Sequence, residues 1–306
     1  MTGRHGRAHS NRSTDSVPNE VMLEYYVQRA GTLITRYGME VDNVPGIYNK
    51  EQVAGWKKIT DPMHEAGSKM YCQVPSRTSH PDAPQQIKAG EICTSNITYT
   101  FQPIEVPDSS VIVEQFKAAA TNAKDAGFDG VELHGTNGFL VEQFLDSMAN
   151  QRTEKWGGSP KNHARFVLEV LKAFIEVWGP NVALKISPSS GPNDVGMPLP
   201  ETIETFGYLL REVDKLGLAY VTLMRYSAIN AGKKRDTPHD VLAEELVDGV
   251  VVSGLFIGLS RITHPDLGKH IQAGKPLDNI PDFAHLYGAD GVDPALGYLD
   301  YKAAVY

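Results

Sequence analysis

GFDGVELHGTNGFLVEQFLDSMANQRTEKWGGSPKNHARF, residues 127–166, holds the joint on which the fold turns. Just upstream, residues 111–125 carry the 3.6-residue apolar period of a helix. Gly127 follows at the position where a left-handed residue closes one. Residues 130–134 then read as a strand. The same order of helix, glycine and strand recurs twice: residues 51–65, Gly67 and residues 69–73, then residues 201–215, Gly217 and residues 219–224. Runs at 182–187, at 249–253 and, shorter, at 32–35 complete six candidate strands.

VELH and VALKIS do not alternate cleanly between apolar and polar residues. That is expected of parallel strands with helices on one face and packed side chains on the other, in a barrel or in a doubly wound sheet. Strand ends separate the two. Gln73, His134, Lys185 and Arg225 stand at or just past the C-terminal ends of four strands, where barrel enzymes collect their reactive side chains. Neither G-x-G-x-x-G nor G-x-x-x-x-G-K-[ST] occurs, so a nucleotide-binding doubly wound sheet has no motif behind it. The expected fold is therefore α/β, a (β/α)8 TIM-barrel type, incomplete at six recognisable strands of eight. No linker, repeat or low-complexity stretch marks a second domain, so residues 1–306 are expected to form one barrel domain with residues 1–16 as an irregular arm.

The 306 residues are 41% hydrophobic and 22% charged, a composition that supports a large core. A net charge of −8 offers no general attraction to phosphate backbones or anionic lipid, so neither nucleic acid nor a membrane is expected as partner. The most apolar run, residues 250–259, is half the roughly 20 residues of a spanning helix. Cys72 and Cys93 are the only cysteines, which leaves no disulfide framework and no cysteine metal cluster. A cytoplasmic location is the expectation. Arg4, Arg7 and Arg12 precede any acidic residue, yet without the apolar stretch of a secretory signal.

The densest polar signal is His134 and Asn137, three residues apart in a turn with Gly135 and Gly138 at a strand mouth. Two converging donors there would grip one carbonyl oxygen and make the carbon conjugated to it electrophilic. The same residues also suit an ordinary turn, with Asn in left-handed φ and His capping a backbone group.

Several blocks beyond this turn resemble the old yellow enzyme family of flavin-dependent ene-reductases. They are VPNEVMLEYYVQRA at 17–30, VPGIYNKEQVAGWKKIT at 44–60, SHPD at 79–82, residues 127–166, VALKISP at 182–188, HPDL at 264–267 and GYLDY at 297–301. They stand in family order and cover most of the chain. The resemblance implies an eight-stranded barrel with FMN at its C-terminal mouth, reduced by NAD(P)H and passing hydride to the β-carbon of a small enone or enal. His134 and Asn137 resemble the pair that holds the substrate carbonyl. Gln73 resembles the glutamine on the flavin ring, Lys185 the cation beside its electron-poor edge, and Tyr287 an aromatic lining the substrate pocket.

The chain also departs from the pattern. In the family's H-x-x-N-x-Y the tyrosine protonates the α-carbon; here Phe139 stands there, and a benzene ring has no proton to give. The family's first strand has no counterpart, and residues 73–77 read QVPSR where Q-L-W-H-x-G-R is usual. In VVVSGLFIGLSRITHPDL a helix and a late strand are missing, so the phosphate-binding elements reduce to Ser253, Gly254 and, as a substitute cation, Arg261. Reduction of an enone is the first reading. A redox-neutral double-bond isomerase and a flavin-free pseudoenzyme are the alternatives.

Overall fold

Asn49 opens the helix that the apolar period announces: its side-chain oxygen accepts from the Gln52 amide at 2.8 Å, satisfying one of the donors a helix start leaves over. From there Gln52, Gly55, Trp56, Ile59, Thr60 and Met63 turn inward at three- and four-residue intervals. The computed structural model describes residues 17–29, 34–35, 45–74, 87–88, 104–105, 108–188, 195–224, 262–282, 284–285 and 291–305. Its elements in chain order are α1 (Glu20–Gln28), β1 (Ile34–Thr35), α2 (Lys50–Glu65), β2 (Met70–Val74), β3 (Ile87–Lys88), β4 (Ile104–Glu105) and α3 (Ser109–Asp125). They continue with β5 (Gly130–Gly135), α4 (Leu140–Leu145), α5 (Pro160–Trp178), β6 (Val182–Ile186), α6 (Leu199–Asp214), β7 (Tyr220–Leu223) and α7 (Leu267–Gln272).

Five of the six expected strands are present, their ends moved by one or two residues. The sixth, at 249–253, and Arg225 lie outside the described residues. The joints follow the expected chemistry: Gly67, Gly127 and Gly217 have φ of 75°, 81° and 66°. At Gly127 the requirement is doubled, since a Cβ there would also sit 2.8 Å from Thr60 Oγ1. The short parallel pair β3 and β4, joined at Ile87–Ile104 and Lys88–Glu105, was not anticipated. Two-residue strands carry too little periodicity to be read from sequence.

The chain gathers into two compact units. The first comprises Met1–Val74, Ala119–Val131 and Val252–Tyr306. In it β1 pairs in parallel with β2, Ile34 opposite Met70, and β2 is followed in the sheet by the first residues of β5. Its core is aromatic. Trp56 packs 5.5 Å from Phe128 and donates its indole N–H to Gly46 O, while Tyr25 stacks on Tyr298 at 4.1 Å. Arg29 is completely buried beside them, over the Tyr25 ring, and donates to the carbonyls of Ile262 and Tyr298 at 2.7 and 3.0 Å. A buried cation is tolerated only when its donors are taken up, and here backbone oxygens far apart in sequence do so.

The second unit comprises Pro75–Ala118 and Glu132–Val251. Its strands run in the order β5-β6-β7, with β6 and β7 parallel and in register from Ala183 opposite Tyr220 to Ile186 opposite Leu223. Every residue of β5 and β6 is buried, as the unbroken runs in sequence required. Phe144 stacks on Phe166 at 4.0 Å, and Phe116 meets Phe166 edge-on, so α3, α4 and α5 share one aromatic cluster. Ser159 caps α5 by accepting from Asn162 N, with Pro160 in the first helical position.

Candidate active site

Side chains two apart on a strand share a face. On β5 this places Glu132 with His134, and on β6 Ala183 with Lys185, with Ser187 next in the same alternation just past the strand end. Lys185 is the register partner of Thr222 on β7, and Thr222 Oγ1 donates to Glu132 Oε2 at 3.4 Å, so these residues belong to one inward face of the second unit. Glu132, His134, Lys185, Ser187 and Thr222 are all buried. A carboxylate, an imidazole and an ammonium group on one buried face is an expensive arrangement that a mere core does not need.

Above this face the chain leaves β5 through a constrained turn. A Cβ at Gly135 would stand 3.0 Å from Lys185 O and 3.2 Å from Val141, so the backbone passes close under β6. Asn137 and Gly138 are then both left-handed, with φ of 62° and 70°; Asn137 is the sole non-glycine with positive φ among the described residues.

The turn also orients the histidine. Thr136 N donates to His134 Nδ1 at 3.3 Å, and the Thr136 hydroxyl lies 3.0 Å from the same nitrogen. Asn137 Nδ2 in turn donates to Thr136 Oγ1 at 3.1 Å. A hydroxyl that accepts from the carboxamide has its own proton to give to Nδ1. With Nδ1 as acceptor, a neutral imidazole carries its hydrogen on Nε2, which makes Nε2–H the donor. His134 and Asn137 are thus linked through one hydroxyl, both as hydrogen-bond donors. The ordinary-turn features foreseen for them are present as well, and they are what sets the tautomer. Phe139 presents its ring edge-to-face to His134, centroids 5.4 Å apart.

The second unit therefore brings together His134, Asn137, Phe139 and Lys185. Gln73 belongs to the first unit, buried as the penultimate residue of β2. Ser253, Gly254, Arg261 and Tyr287 lie outside the described residues. Sequence reasoning missed Glu132, Thr136, Glu142 and Ser187. Glu132 had a signal, since it precedes His134 by two on the same strand. Glu142 had one also, as the third residue of a helix, where a carboxylate reaches back to amides before it.

Comparison with known proteins identifies the family. The sequence profile of the NADH:flavin oxidoreductase / NADH oxidase family matches residues 5–275. The chain belongs to this family. It is 34% identical to a chanoclavine-I aldehyde reductase of Penicillium roqueforti, over 94% of this chain and 88% of that one. It is 32% identical to a probable flavin mononucleotide-dependent alkene reductase of Leishmania infantum, over 93% and 88%. Among solved structures, morphinone reductase superposes with a TM-score of 0.79 at 29% identity, covering 95% of this chain and 89% of its own.

Membership makes the fold the (β/α)8-barrel type of the old yellow enzymes and the protein an FMN- and NAD(P)H-dependent oxidoreductase of the ene-reductase kind. The aligned length of 334 residues with the Penicillium reductase exceeds the 306 residues of this chain, so that relative carries segments lacking here. No helix among the described residues is long and apolar enough to cross a membrane. The donor set suits the cofactor. In the first unit Gln73 is buried near the C-terminal end of β2, and in the second unit Lys185, 7% exposed, is near the C-terminal end of β6; a carboxamide and an ammonium group are each a side-chain type that pairs with the carbonyls and ring nitrogens of a flavin.

Proposed function

We propose that this enzyme reduces the carbon–carbon double bond of a small α,β-unsaturated ketone or aldehyde whose carbonyl oxygen accepts hydrogen bonds from His134 Nε2 and Asn137 Nδ2. FMN, when bound, supplies the hydride for the β-carbon. Gln73 would hold the flavin ring, Lys185 would place positive charge beside it, and Ser253, Gly254 and Arg261 would hold the phosphate, with Tyr287 lining the substrate pocket. The chain's own contribution to the substrate is electrostatic: two fixed donors stabilise the negative charge that collects on the carbonyl oxygen as the β-carbon is attacked. Phe139 closes the space beside His134 without offering a proton, so the α-carbon is protonated from solvent.

One observation carries this reading: the Thr136 hydroxyl ties the imidazole and the carboxamide together and leaves His134 in the tautomer with its hydrogen on Nε2. The test is turnover of 2-cyclohexenone by FMN-loaded protein with NADPH or NADH. Saturated ketone should form in step with nicotinamide oxidation. His134→Ala should lower kcat/KM about 10²-fold or more while leaving the melting temperature nearly unchanged, as loss of an oxyanion donor does. A shifted double bond without nicotinamide consumption would replace reduction by isomerisation. A colourless protein that takes up no FMN would end the proposal.

A further inference from the structure

Glu142 is a buried carboxylate on the first turn of α4, three residues beyond Phe139. Its Oε2 accepts from Gly138 N at 2.6 Å and its Oε1 accepts from Ser187 Oγ at 2.8 Å. Ser187 Oγ accepts in its turn from Asn137 N at 3.3 Å. The two backbone amides of the left-handed pair Asn137–Gly138 are therefore gathered, one directly and one through a hydroxyl, by a single carboxylate. Gln143 Nε2 completes the clamp by donating to Gly138 O at 2.6 Å.

We infer that Glu142, acting through Ser187 and the Gly138 amide, is the positioning residue that holds the His134–Thr136–Asn137 donor array in its carbonyl-binding geometry. The inference rests on the reading of His134 and Asn137 as the carbonyl-binding pair. Asn tolerates the left-handed conformation better than other non-glycine residues, and an external anchor on the two amides helps to hold the turn. A charge-assisted bond from an amide to a buried carboxylate is of the right strength to supply it. With Phe139 in the tyrosine's place, a nearby carboxyl invites a second assignment, as the missing proton donor. The geometry speaks against that: both Glu142 oxygens act as acceptors, one from the Gly138 amide and one from the Ser187 hydroxyl.

The test compares wild type with Glu142→Gln, Glu142→Ala, Ser187→Ala and the Glu142→Ala/Ser187→Ala pair, all FMN-loaded. Glu142→Ala should raise KM for 2-cyclohexenone at least tenfold, more than it lowers kcat. Glu142→Gln, which keeps one acceptor oxygen, should recover part of the loss. The double variant should lose no more than Glu142→Ala alone, because the two side chains act in series. Amide exchange supplies a readout independent of turnover: in Glu142→Ala, exchange at Asn137 and Gly138 should quicken while the amides of β6 stay protected. Wild-type KM together with wild-type exchange in that variant would overturn the inference. So would exchange that quickens throughout the second unit, since Glu142 would then be a general structural residue; Ser187→Ala, the milder change, repeats the test if Glu142→Ala does not fold. Should wild type neither bind nor reduce the enone, the carbonyl-binding reading falls, and the inference falls with it even where the exchange result stands.

Discussion

Phe139 is one oxygen atom short of a tyrosine, and its ring packs edge-to-face with the His134 imidazole, centroids 5.4 Å apart. Changing Phe139→Tyr adds a hydroxyl at the far end of a ring whose backbone starts α4, so no helix geometry has to change to carry it. A positioned acid contributes about 10²–10⁴-fold to a protonation-limited step. Phe139→Tyr should therefore raise the rate of saturated-ketone formation by at least tenfold, read as product per FMN by chromatography. An unchanged rate in flavin-loaded protein would mean that protonation does not limit turnover or that the hydroxyl misses the α-carbon. At this scale the sequence was legible where the chemistry is local. The spacing of His134 and Asn137 in a glycine-flanked turn marked both the donors and the left-handed residue. It was silent on Thr136 and Ser187, since a hydroxyl acquires its role only from what folds against it.

Asp129 shows how one residue joins two elements. It stands between α3 and β5, donates its backbone N–H to Met70 O at the start of β2 at 2.8 Å, and accepts from Met70 N at 2.7 Å through its side chain. Lys69 Nζ and His64 Nε2 reach the same carboxylate at 2.8 and 2.9 Å. Partial burial pushes its pKa up, but the bonds from Lys69, Met70 and His64 outweigh that and leave it below the usual aspartate value. A carboxyl depressed in the folded state contributes its full stability above the unfolded value of 3.8, and the contribution is lost as pH falls from there through the folded value. Asp129→Asn should thus destabilise by about 1.5–3 kcal/mol at neutral pH, the typical worth of a hydrogen bond to a charged group. The gap to wild type, followed by denaturant unfolding, should stay level down to about pH 4 and close below it. A gap that did not change with pH would overturn this account of the Asp129 carboxylate. Elements of this kind were the most readable part of the chain: α2, α3 and α6 each end at a glycine, and β2, β5 and β7 follow at once. Arg29 was not readable, because its partners Ile262 and Tyr298 are more than 200 residues away and carbonyl acceptors leave no trace in a sequence.

Neither compact unit is one continuous stretch of chain. The first is assembled from three separate segments, and both α3 and β5 give residues to each unit. Neither unit can be cut out as one continuous segment, and we propose that the chain unfolds as the single domain expected from the absence of a linker. Heat should then unfold the apoprotein in one transition by circular dichroism and by tryptophan fluorescence alike. FMN binds the folded state alone, so it adds stability by mass action, about 2.7 kcal/mol at a free concentration of about a hundred times its Kd. For a chain of this length that corresponds to a rise in Tm of roughly 5 °C. The size of the rise also tests the proposed phosphate residues. If Ser253, Gly254 and Arg261 hold the phosphate, FMN should raise Tm far more than riboflavin at equal concentration, because riboflavin shares the ring and lacks the phosphate. Equal rises would mean that contacts to the ring alone retain the cofactor, and two transitions in place of one would mean that the units fold separately.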